Sequence, residues 1–303
     1  MLKKITDQFT QGSLGTTIAI NLSQAFPSKI GYPVASAIAT AVSARWWNPV
    51  VKAVRLNQAV IHDFKLSRQE LNQVVRQVFI SQSRSLYNFY HYLDRFDRIK
   101  DLVSVSPRMQ AMMESCNKGG RGTLMLLPHL CGFDVSGLML ASLGFKYLTL
   151  SYPNPPKGYE MQNKIRNDRG EEVVPMSFES IQAARERLQS GGTVLTGIDR
   201  PHPGSGYHPM FFGRPAELPV AYIKLALKTN ARVYVIGVNS LPDFKYEIDA
   251  SEEIPLQHID DPREELESNA ARVLKVAEGY IRENAASWAM FYPVWPELEA
   301  KVS

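Results

Sequence analysis

The sequence lacks most of the features that announce a function. Its 303 residues contain two cysteines, Cys116 and Cys131, too few for a disulfide framework and without the paired spacing of a zinc site. Cys131 is expected to pack as a small apolar residue. No uninterrupted apolar run reaches the roughly 20 residues that a bilayer-spanning helix needs. There is no Walker loop, no G-x-G-x-x-G after a strand, no G-x-S-x-G elbow and no H-E-x-x-H. The commonest nucleotide-binding, serine-hydrolase and zinc-protease patterns are therefore missing. Of the six histidines, His202 and His208 flank one loop but lack ligand spacing, so neither a metal nor another cofactor is expected. Charge is nearly balanced, 34 Lys and Arg against 30 Asp and Glu for a formal net charge of +4. The small excess suits an anionic partner or a membrane surface. Without a basic stripe interleaved with aromatics, nucleic acid is not expected. No charged n-region, apolar h-region and cleavage site follow one another at the N-terminus, so a cytoplasmic protein is expected.

Charge is also locally absent. From Gln8 to Ala44 the only charged residue is Lys29. Pro27, Gly31 and Pro33 divide the stretch into two apolar pieces, Thr16 to Phe26 and Val34 to Ala44, each too short to span a bilayer. Arg45, Trp46 and Trp47 follow, residue types that suit the headgroup region. Two readings stand: a helical hairpin lying in a membrane interface, or two helices packed on a core.

What the chain does have is periodicity. Ser67 and Glu70 take the form of a capping box. Behind them Leu71, Val74, Val75, Val78, Phe79, Leu86, Phe89, Tyr90 and Leu93 recur at helical spacing, which predicts a long amphipathic helix with a structural His91. Met109, Met112 and Met113 fall in a further helix. After Gly119-Gly120 short apolar runs alternate with helix-length segments. Strands are predicted at Thr123–Leu127, Phe145–Leu150, Glu172–Met176, Thr193–Ile198 and Ala231–Val238, with an antiparallel edge strand at Phe244–Asp249. Helices are predicted at Asp134–Leu143, after Ser177, beyond Pro219 and at Pro262–Asn284. This alternation indicates an α/β fold, a mainly parallel central sheet flanked by helices on both faces. One domain is expected, residues 1–60 forming a helical N-terminal extension and residues 61–303 the α/β core.

In such sheets ligands bind beyond the carboxyl ends of the parallel strands. His129 follows one strand and Asp199 ends another, so both are expected at the same edge. His129 and Asp134 would stand about 140° apart on a single helix. They meet only if the link between them folds back. The carboxylate would then fix the imidazole tautomer, leaving the other ring nitrogen to take a proton from a hydroxyl. The alternative has Asp134 as a helix N-cap and His129 as a satisfied loop histidine. Ser136, in the first helical turn, stands outside any nucleophile elbow.

The segment from His129 to Asp134 has the form of an H-x4-D motif, and it does not stand alone. Val54-Arg-Leu-Asn57 precedes the long helix. Arg166-Asn-Asp-Arg-Gly170, the segment from Leu188 to Arg200, and Met210-Phe-Phe-Gly-Arg-Pro-Ala216 follow in order. Over most of its length the chain resembles the lysophospholipid and glycolipid acyltransferases. Within these it is similar to the branch of bacterial lipid A late acyltransferases and phosphatidylinositol mannoside acyltransferases. The resemblance implies transfer of a fatty acyl group from a thioester, acyl-CoA or acyl carrier protein, to a hydroxyl of a membrane lipid or glycolipid. It implies a peripheral protein on the cytoplasmic face of the inner membrane. His129 would be the general base with Asp134 as its partner, and Asp199 would position or polarise the histidine or the acceptor. Arg166 and Arg200 would meet phosphate groups, which a guanidinium matches bidentately. Phe211, Phe212 and Gly213 would line the acyl groove. Taken alone, Arg166 reads equally as a structural arginine and the aromatic pair as core. The sequence departs from the family near its end: Ala285-Ala-Ser-Trp288 keeps only the tryptophan of the usual pattern, and Tyr292 stands where a basic residue is frequent. Two other functions fit the same scaffold, a non-catalytic lipid- or acyl-binding protein and a thioester or ester hydrolase.

Overall fold

A computed structural model describes residues 13–302, with side chains from Thr16 onward. Residues 8–12 of the low-charge stretch, and the first residues examined for a signal segment, lie outside the described residues. The remainder of that stretch forms two helices, α1 (Ser13–Ala25) and α2 (Ser28–Ser43). Pro27 separates them, as the sequence suggests. Neither Gly31 nor Pro33 breaks the second helix, which starts at Ser28 and not at Val34. Contacts with a neighbouring helix, α4 (Arg68–Tyr92), hold it together. Gly31 sits against Tyr87 so closely that a Cβ would fall 2.1 Å from the ring. The Tyr87 hydroxyl donates to the Phe26 carbonyl (2.7 Å), and Tyr32 donates to Asn88 (2.7 Å). Tertiary bonds thus compensate for the N–H that proline lacks.

Between these elements lies α3 (Pro49–Ile61), capped by Asn48, whose Leu56 and Val60 enter the main core. The capping box at the start of α4 is formed in both directions, Ser67 N–H to Glu70 and Glu70 N–H to Ser67 Oγ. His91 is structural: its Nδ1 lies 2.6 Å from the Ser23 carbonyl and its ring stacks on Tyr87.

The remaining chain runs β1 (Val103–Val105), α5 (Pro107–Asn117), β2 (Thr123–Leu127), α6 (Phe133–Ser142), β3 (Leu148–Ser151) and α7 (Lys157–Asp168). It continues with β4 (Glu172–Pro175), α8 (Phe178–Gln189), β5 (Thr193–Gly197), the hairpin strands β6 (Met210–Phe211) and β7 (Arg214–Pro215), α9 (Ala221–Thr229), β8 (Arg232–Ser240), β9 (Tyr246–Ala250) and α10 (Pro262–Glu283). The seven-stranded sheet has the order β1-β9-β8-β2-β5-β3-β4, with every neighbouring pair parallel except β8 and β9. The antiparallel strand is therefore not at the edge, because the three residues of β1 pair outside it. So short a strand leaves no periodic trace in sequence. α7 also follows the proline-rich segment without any apolar stripe to announce it.

β2 lies near the middle, and Leu124, Met125 and Leu126 on it are all fully buried. A strand covered on both faces reads as a continuous apolar run rather than an alternation. From β2 the chain crosses to β3 on one side, whereas from β5 it crosses to β8 on the other. The adjacent carboxyl ends of β2 and β5 are thus a switch point of the topology, where open α/β sheets form their crevice.

Candidate active site

His129 and Asp199 occupy that crevice. Pro128 ends β2 and puts His129 just past the strand; Ile198 places Asp199 at the same level beyond β5. The ring Nδ1 of His129 lies 2.5 Å from one Asp199 oxygen, and the His129 backbone N–H donates to the other at 2.9 Å. With Nδ1 carrying its proton toward the carboxylate, Nε2 keeps its lone pair. Among the described residues nothing bonds to Nε2. The Trp288 indole N–H donates to the second Asp199 oxygen at 2.7 Å. Asp199 is fully buried. Burial by itself pushes its pKa up, but the facing imidazole, the indole and the backbone N–H together outweigh that and hold the carboxyl below its ordinary value.

The tail that brings Trp288 is laced to the histidine loop. The Cys131 N–H donates to the Ser287 carbonyl (2.8 Å), and Ala289 N–H to the His129 carbonyl (2.8 Å). Asn57, buried on α3, donates to the carbonyls of Met290 (3.0 Å) and Tyr292 (2.8 Å) and accepts from Val294 N–H (3.0 Å). Five backbone groups of the tail therefore fix where the indole meets Asp199.

Asp134 has a different partner from the one expected. It sits in the first turn of α6, entered through Gly132 at φ 93°. Gly132 is required twice over there, since a Cβ would also meet the Tyr246 ring at 2.4 Å. The turn aims the Asp134 carboxylate at Arg166 of α7, not at His129. Arg166 Nε donates to it at 3.1 Å, a second guanidinium nitrogen closes the pair, and the third donates to Asn163 at 2.8 Å. Both partners are buried. Burial opposes the charge on Arg166, and the Asp134 carboxylate more than restores it, leaving its pKa raised. Arg166 is thus held by Asp134 and Asn163, and it also lines the cavity beside His129.

A cavity of about 420 Å³ opens beside His129 and runs between the sheet and α6. Leu127, Leu140, Leu150, Met176, Ile181 and Leu195 are among its apolar walls. Its volume and apolar lining are those of a small-molecule pocket. Among the described residues no three His, Cys, Asp or Glu side chains gather as a metal site.

A family model for bacterial lipid A biosynthesis acyltransferases matches residues 5–297. The chain belongs to that family. The phosphatidylinositol mannoside acyltransferase of Mycobacterium tuberculosis is 28% identical over 123 residues, 39% of this chain and 39% of that one. Its counterpart in Mycolicibacterium smegmatis is 26% identical over 121 residues, 39% and 40% of the two chains. The matched stretch thus spans well under half the length of these curated relatives.

For this member of the lipid A biosynthesis acyltransferase family, the remaining expected residues divide. Arg200 lines the cavity and lies between two exposed tyrosines, its guanidinium carbon 3.6 Å from the ring centre of Tyr152 and 4.1 Å from that of Tyr292. Tyr292, the departure from the family's basic residue, therefore builds the seat of a nearby cation. Phe211 and Phe212 do not line the cavity. They are buried in an aromatic cluster with Trp288 and Trp295, Phe211 stacking on Trp295 at 5.6 Å. Gly213 turns the β6–β7 hairpin at φ 71°. The block around them supports the indole from behind. Ser136 is buried on α6 and its hydroxyl has no hydrogen-bond partner, so no base is engaged with it. Sequence reasoning gave Trp288 no role, although its retention where neighbouring family residues are lost was a signal.

Proposed function

We propose that the protein is a peripheral O-acyltransferase that moves a fatty acyl group from a thioester, acyl-CoA or acyl carrier protein, to a hydroxyl of a membrane lipid or glycolipid. The observation that carries this reading is the His129–Asp199 pair at the wall of an apolar cavity, with one ring nitrogen held and the other unbonded. In the proposed reaction Nε2 takes the proton of the acceptor hydroxyl as its oxygen attacks the thioester carbonyl. Asp199 stabilises the imidazolium that forms. Collapse of the tetrahedral intermediate breaks the carbon–sulfur bond, and the departing thiolate recovers the proton from Nε2. The acyl chain lies in the cavity. Arg200 at the exposed end supplies a fixed positive charge for a phosphate of the acceptor or donor.

The N-terminal hairpin supports attachment to a bilayer surface. Ile18 and Leu22 on α1, Phe26 just past its end, and Ile30, Val34 and Ile38 on α2 recur every four residues and are all exposed. Trp46 and Trp47 continue the patch, 70% and 61% exposed. The opposite side of the hairpin is packed on α4, so the two readings of this stretch are combined. One side belongs to the core; the other is free to lie in the headgroup layer. No described helix is long and apolar enough to cross a membrane.

The test is incubation of purified protein with radiolabelled acyl-CoA or acyl carrier protein and a panel of lipid acceptors. Labelled acceptor is the expected product. Free fatty acid without acylated lipid would make it a hydrolase, and tight lipid binding without turnover a binding protein.

A further inference from the structure

The cavity walls carry more polar groups than a plain alkyl chain would need. Seven buried side-chain N or O atoms among the described residues lack a hydrogen-bond partner. Four of them, Ser136 Oγ, Thr149 Oγ1, Glu171 Oε1 and Tyr222 OH, belong to residues that line this cavity. Buried polar groups are almost always paired, and a cluster of exceptions marks a place that something else completes.

Ser136 neighbours Gly137 on α6, and the Glu171 carboxylate closes on that glycine so tightly that a Cβ would fall 2.7 Å from Oε2. Oε2 also accepts from the Tyr147 hydroxyl at 3.4 Å, while Oε1 has no partner. Thr149 lies two residues beyond Tyr147 and leans to the same face of β3. Glu171 is held in place by geometry and surrounded by the Asp134–Arg166 pair on one side and the apolar cavity on the other. Burial first, with the Asp134 charge adding to it, outweighs Arg166 and raises its pKa to about 7.

We propose that Ser136, Thr149 and Glu171 bind a hydroxyl group carried on the acyl chain, so that the donor is a hydroxyacyl thioester. This rests on the acyltransferase reading and adds the identity of the group transferred. A hydroxyl both donates and accepts, so it can give its hydrogen to Oε1 of ionised Glu171 while accepting from Ser136 or Thr149. It can also accept from Glu171 when that group is protonated. A ketone would satisfy only the protonated form. An alkyl chain would satisfy neither and would leave the three groups unpaired in the complex, which is the situation that makes polar sites reject deoxy analogues.

The experiment compares dodecanoyl and hydroxydodecanoyl thioesters of acyl carrier protein, the hydroxyl stepped along the chain. In parallel, calorimetry measures binding of the corresponding free fatty acids. One hydroxylated donor is expected to exceed the plain donor in kcat/KM by about tenfold or more. The matching free acid is expected to bind correspondingly tighter. Ser136→Ala combined with Thr149→Val, both nearly isosteric, should bring both ratios close to unity without a change in circular dichroism. Transfer of plain and hydroxylated chains at equal efficiency would overturn the proposal and leave the acyltransferase reading intact. Ratios unmoved by the double variant would do the same. Tighter binding of a hydroxy acid with no transfer from any donor would keep the site and remove the enzyme activity.

Discussion

Asp199 holds His129 at two points, one carboxylate oxygen on the ring Nδ1 and the other on the backbone N–H of the same residue. A single buried side chain thus sets both the tautomer of the imidazole and the position of the loop that carries it. His129→Ala is expected to lower kcat by about 10²–10⁴-fold, the usual worth of a general base, with an unchanged far-ultraviolet spectrum. Substantial residual transfer would take His129 out of the base role.

Trp288→Phe keeps an aromatic ring in the cluster and deletes one donor to Asp199. A charge-assisted hydrogen bond is worth roughly 1.5–3 kcal/mol, so kcat is expected to fall by about tenfold or more while KM for the donor stays near its original value. An unaltered kcat would make the indole a packing residue only.

Asp134 and Arg166 should behave as a stability pair. Asp134→Asn leaves a buried guanidinium without its counter-ion, which costs about 3–5 kcal/mol. Replacing both, Asp134→Leu with Arg166→Met, should destabilise less than the sum of the single changes in urea unfolding. If Asp134→Asn abolishes transfer at unchanged stability, the motif aspartate acts on the chemistry and not through Arg166.

Glu171 makes stability depend on pH in a defined direction. Its pKa is raised from 4.5 to about 7 by burial, so the folded protein keeps a proton that the unfolded chain has already lost. Stability then falls as pH rises through that window and levels off above it. Glu171→Gln should gain on the wild type across the same window, by on the order of 3 kcal/mol. Urea midpoints measured at several pH values read this difference directly. A constant difference would return Glu171 to the ordinary carboxyl range.

Trp46→Ser together with Trp47→Ser removes the most exposed aromatic pair of the apolar patch. Co-sedimentation with liposomes is expected to drop, and activity on detergent-dispersed acceptor to change much less. Unchanged sedimentation would assign the patch to some other contact.

The residues most legible in the sequence were those whose environment is set by the sheet alone. Thr123–Leu127 reads as a central strand because both its faces are covered, and a parallel strand delivers whatever follows it to the carboxyl edge. His129 and Asp199 could be placed together on that ground without knowing their contact. The partner of His129 was not legible from spacing. Asp134 is near in sequence, yet the left-handed turn at Gly132 aims it at α7, itself hidden behind a proline-rich segment. Asp199 stands 70 residues away and wins because β5 lies next to β2. Phe211 and Phe212 show the same limit, since two adjacent aromatics look alike whether they face a groove or a tryptophan cluster. Trp288 was visible as a retained residue, but its role depends on a tail whose course Asn57 determines from the far end of the chain.

The lacing of that tail has a consequence for the order in which the protein is made. Every strand of the sheet is synthesised before Trp288. A chain still on the ribosome can thus assemble β2 beside β5 and bring imidazole to carboxylate while the indole is still missing. The indole's bond to Asp199 therefore waits for a segment made after every strand, one that Asn57 of α3 holds in place.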